Sequence, residues 1–66
     1  MEARDKLAHL IPHWVEHNQS HIAQFEEWAA KARQAGLSVA AEHVAAAAEA
    51  MKEANRRLER AGEGLR

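Results

Sequence analysis

From Leu37 onward a large apolar residue returns at every seventh position: Leu37, Val44, Met51, Leu58 and Leu65. Ala40, Ala47, Ala54 and Ala61 keep the same period three places later. Alternating steps of three and four put both sets on one side of a helix, and a large residue alternating with Ala lets a neighbouring helix approach closely. The pattern predicts a helix over about 39–61 with these two rows as its seam. Upstream, Ile11, Asn18, Phe25 and Ala32 form one row of a matching seam, and Leu7, Trp14, His21, Trp28 and Ala35 form the other. Val15, Ile22 and Ala29 widen it, so a first helix is predicted over about 2–35 with a broad apolar face interrupted by Asn18 and His21.

The stretch KARQAGLS divides the two. Lys31 and Arg33 suit the negative end of a helix dipole, Gly36 can take the left-handed conformation that closes a helix, and Ser38 can cap the next one. So short a turn, about 36–38, makes the helices antiparallel, with residue n opposite residue 74 − n or so. Pro12 removes one helical hydrogen bond and crowds the carbonyl of residue 8, which predicts a break or kink near it. Residues 62–66, with Gly62 and Gly64, read as a frayed tail. The fold class is all-α: an antiparallel two-helix hairpin forming a single domain.

Composition adds a constraint. A chain of 66 residues is too short for one core to stabilise it comfortably, and with no cysteine it has neither disulfides nor thiolate sites. Metal binding or association remains. One hairpin cannot cover Trp14, Phe25 and Trp28 together, so two hairpins are expected to associate as a homodimer, in a four-helix bundle. The net charge of −1 and a pI near 6.5 exclude strong attraction to nucleic acid or an anionic membrane. The start MEARDK lacks the apolar core of a signal peptide and no apolar run reaches membrane-spanning length, so the expected location is the cytoplasm. Arg56, Arg57 and Arg60 read as a solvated helix end that pairs with Glu16 and the acidic first turn, while Glu53 and Arg57 are spaced for an outer ion pair. No nucleophile–base set or Gly-rich phosphate loop exists, so the reading is non-enzymatic.

The chemistry sits in HLIPHWVEHNQSH, where His9, His13, His17 and His21 recur every fourth residue. Each is turned about 40° from the last, which leaves His9 and His13 outside, His17 flanking the seam and His21 in it. Imidazoles four apart on a helix can chelate one ion, so His13/His17 and His17/His21 are competent pairs. The residue after each candidate is not the Glu of a zincin, and the Glu-x-x-His of di-iron bundles is missing. His43 lies about 15 Å along the hairpin from His21 and cannot join it within one chain. In an antiparallel dimer, His17 and His21 of both chains meet at the dyad, and His43 of one chain comes level with His9 and His13 of the other.

Without an ion, Asn18 and His21 in a seam would still fix register and oligomeric state. A third reading is haem on a seam His among aromatic residues, against which the Ala-rich second helix argues by leaving little room.

The run LIPHWVEHNQSHIAQFEEWAAKA, residues 10–32, resembles a short helical domain of uncharacterised prokaryotic proteins with a Pro-His-Trp…His-Asn…His string followed by an aromatic residue and Trp-Ala. The resemblance covers about a third of the chain and implies that His13, Trp14, His17, Asn18 and His21 act as a unit. It implies no activity, and His9 and His43 lie outside it. The expected function is storage, buffering or delivery of a divalent transition metal. His13, His17, His21 and His43 are its candidate ligands, and Zn, Ni, Cu and Co are its candidate ions. The alternative is a metal-free helical interaction module.

Overall fold

A computed structural model describes residues 2–66 and contains helix α1, Ala3–Gln34, and helix α2, Ser38–Glu63. They run antiparallel in a rod of 50 × 14 × 12 Å. Among the described residues no helix is long and apolar enough to cross a membrane.

The turn forms as its residue types dictate. Gly36 has φ +81°, and Leu37 N–H donates to the Ala32 carbonyl (2.9 Å) while Gly36 N–H donates to that of Arg33 (3.1 Å). That pair of bonds is the Schellman closure, which satisfies carbonyls otherwise left open at a helix end. Ser38 is not the cap of α2. Leu37 occupies that place, its carbonyl accepting from Ala41 N–H at 2.9 Å, and Ser38 is the first helical residue.

Pro12 neither breaks nor sharply kinks α1. The helix is continuous through it, and the 50 Å length of the rod matches the roughly 48 Å of a straight 32-residue helix. Ala8 and Pro12 are both exposed, so water can reach the carbonyl that proline leaves without a donor. The expected tail is also shorter than supposed. α2 continues to Glu63, because Gly62 lies against Ile11 (a Cβ there would meet Cγ2 at 3.7 Å) and Leu65 is half-buried.

Level matching follows from the same contacts. Ile11 meets Gly62, and Asn18 Nδ2 donates to Asn55 Oδ1 at 2.9 Å, so residue n faces residue 73 − n.

The roll of the helices differs from the pattern-based expectation. On α2 the row that closes on α1 is Ala41, Ala48, Asn55 and Gly62, with Val44, Met51, Leu58 and Leu65 beside it; Ala40, Ala47, Ala54 and Ala61 are exposed. On α1 the contact side is Ile11, Val15, Asn18, Ile22, Phe25, Ala29 and Ala32, and Leu7, Trp14 and Trp28 are left out. Both helices are rotated by about one row toward the same flank. The cause is polar: Asn55, only 6% exposed, needs partners, and this roll gives it Asn18 and the Val15 carbonyl, to which its Nδ2 donates at 3.2 Å.

Ion pairs lie outside. Lys52 reaches both Glu26 (2.8 Å) and Glu49 (2.9 Å), tying the helices on one flank. Hydrogen bonds to Glu26 and then Glu49 raise the Lys52 ammonium above its usual 10.5, and the bond from Lys52 lowers the Glu49 carboxyl below 4.5. Arg56 and Arg57 pair with Glu53 (2.7 and 3.6 Å) and Arg60 with Glu63 (3.6 Å), all within α2. The expected link from these arginines to Glu16 is replaced by neighbours one turn away, which cost less side-chain entropy to reach.

Candidate metal centre

The helical period of α1 sorts the histidines as their spacing requires. His9 and His13 point to solvent, His17 is exposed and His21 is half-buried at the edge of the contact side. His17 and His21 meet: their Nε2 atoms are 3.1 Å apart, their ring centroids 4.7 Å apart, and the planes cross at 75°. Phe25, one turn further, stands 5.9 Å from the His21 ring, so the pair is backed by an aromatic wall on one side and open on the other.

That separation can be read against coordination geometry. An ion about 2.0–2.1 Å from each nitrogen would subtend about 95–102° between them, within the range spanned by cis octahedral or square-planar and tetrahedral sites. The same distance suits a hydrogen bond between neutral rings when one Nε2 carries the proton and the other does not.

His13 does not join the pair, and His43 sits near the turn, level with residue 30 or so of α1. Among the described residues no group of three or more His, Asp or Glu side chains converges. One chain therefore supplies two imidazoles. Asn18, expected to act as a unit with the histidines, instead donates its amide to Asn55 inside the hairpin. Asn55 itself escaped the sequence reading, although the level rule set residue 56 opposite Asn18 and so pointed within one residue of it.

A groove of about 750 Å3 lies elsewhere. It opens between the start of α1 and the end of α2, where Ile11, Pro12, Val15 and Leu65 are flanked by Glu16 and Glu59. It contains no histidine, and no described donor set converges there.

Fold and site define a helical hairpin that carries an edge-exposed pair of histidines. The chain belongs to the family described as a domain of unknown function, DUF8180, whose model matches residues 7–65. It is also similar to an uncharacterized protein of Archaeoglobus fulgidus, 56% identical over 27 residues, which is 41% of this chain and 44% of the relative's length. The matched stretch is thus less than half of either protein. No solved structure matches.

Proposed function

We propose that this chain is a small, non-enzymatic metal-binding protein that stores, buffers or delivers a late first-row divalent ion. One observation carries the reading: the His17 and His21 Nε2 atoms stand 3.1 Å apart with a separation suited to two ligands of one ion. Two nitrogens make an incomplete set. Association of two hairpins into a four-helix bundle completes it, by bringing His17 and His21 of a second copy to the same place. His13 and His43 are outer ligands at most, since neither meets the pair within a chain. All-imidazole coordination suits Zn, Ni, Cu or Co.

The second reading, a metal-free interaction module, is favoured by the same pair in its hydrogen-bonded form. Protein purified without a histidine tag and subjected to elemental analysis separates the two.

A titration locates the ion. Trp14 is one turn from His17, so Cu2+, Ni2+ or Co2+ at the pair should quench its emission and affect Trp28 less. His17→Ala and His21→Ala should each remove most of the quenching, whereas His43→Ala should leave it largely intact. Quenching that survives both seam-side substitutions in a protein that still associates refutes the site.

A further inference from the structure

Resting on the self-association proposed above, we infer that a second copy of this chain lies antiparallel across one flat face of the hairpin, with α1 over α1 and α2 over α2, centred on residue 19. The face is set by the roll of the helices. At about 100° per residue, Leu7, Leu10, Trp14, His17, His21 and Trp28 fall within an arc of about 80° on α1. All six lie on the side away from Glu26. On α2, Ala40, Ala47, Ala54 and Ala61 lie on the side away from Lys52. Since Glu26 and Lys52 join hands on one flank, the apolar row and the alanine row share the other. Trp28 is 59% exposed there, and Leu7, Leu10 and Trp14 are more than a third exposed.

The area fits a dimer. The hairpin exposes 5098 Å2, against about 4,200 Å2 for a compact monomer of 7.4 kDa. The excess of about 900 Å2 is close to the roughly 800 Å2 that each partner loses in an interface of standard size. The radius of gyration, 15.2 Å, likewise exceeds the roughly 11 Å of a compact chain this long.

The occupant is a second copy because the spacing is self-complementary. Leu10 and Trp28 stand nine residues either side of residue 19, His17 and His21 two either side, and α1 itself (Ala3–Gln34) is centred there to within about half a residue. On α2 the residue level with 19 is Ala54, with Ala47 and Ala61 seven either side of it. A two-fold axis through that level sets Leu10 against Trp28 of the second copy and His17 against its His21. It also sets Ala54 against itself, in a row small enough for close backbone approach.

The chain has no cysteine, so Lys6→Cys provides a unique attachment point for a spin label on the exposed start of α1. In chelator-treated protein, sedimentation should show a dimer and pulsed dipolar spectroscopy a separation of about 40 Å, from 26 helical residues at about 1.5 Å each. Trp28→Asp should weaken the dimer at least tenfold while helicity persists, since the Trp28 side chain is mostly outside the hairpin's own core. A monomer at tens of micromolar, or a separation below about 25 Å as parallel α1 helices would give, overturns the inference. Because no ion is present, a dimer of this geometry that then fails to bind Ni2+ would refute the metal reading alone.

Discussion

Replacing Asn55 by Ala tests what sets the roll of the two helices. Asn55 is 6% exposed, accepts from Asn18 Nδ2 at 2.9 Å and donates to the Val15 carbonyl at 3.2 Å. Each such bond contributes about 0.5–1.5 kcal/mol net, so the substitution should cost about 1–3 kcal/mol. The loss should not exceed that. Val15 keeps the helical bond from Gln19, the half-buried Asn18 can turn toward water, and Ala suits a row already made of Ala41, Ala48 and Gly62. For a domain of this size each kcal/mol moves the melting midpoint by about 4–8 °C. Circular dichroism at one fixed protein concentration measures it, since association would otherwise shift the midpoint. Asn18→Ala should cost less, because it removes one of the two bonds. In the double variant the shared bond should appear as a coupling of at least about 0.5 kcal/mol. An unchanged midpoint for Asn55→Ala, or single losses that merely add, would refute the idea that this pair holds the register.

The two interior glycines should respond in opposite directions. Gly36→Ala forces a β-carbon into φ +81° and should cost about 1 kcal/mol in urea unfolding, with open space around it to exclude a clash as the cause. Gly62→Ala places its Cβ at an ordinary 3.7 Å from Ile11 and should stabilise by about 0.5–1 kcal/mol; a loss there would refute the reading that the added methyl fits against Ile11. Lys52→Met should flatten both ends of the pH–stability profile. The lowered Glu49 carboxyl contributes stability above 4.5 that fades as pH falls through its folded value, and the raised Lys52 ammonium contributes stability below 10.5 that fades as pH rises through its own. Thermal scans of both proteins across those two windows check the sign. Ions held by His17 and His21 should be released on acidification, since only neutral imidazole ligates, and their removal by a chelator at neutral pH should lower the melting temperature, reversibly when the ion is added back.

Much of this was written along the chain. The seven-residue recurrence from Leu37 to Leu65 requires a helix, because a strand has no use for that period. Gly36 marks the turn since only glycine takes φ +81° without strain, and the antiparallel course follows from a link that short. The four-residue step of the histidines guaranteed that His17 and His21 would be neighbours, a fact of local helix geometry. What the chain could not decide was the roll. A heptad seam offers the large row a companion either three or four places on, and Ala fills both choices through the first half of α2. Tertiary pairing chose the second row, because Asn55 is buried there and a buried amide must find partners on the other helix. That choice left Leu7, Trp14 and Trp28 beside Ala47 and Ala54 on one open face and fixed where His21 stands at its edge. Pro12 fails as a local signal for a related reason: in an exposed turn of a helix packed along its length, one lost hydrogen bond is too small a cost to outweigh the contacts on either side.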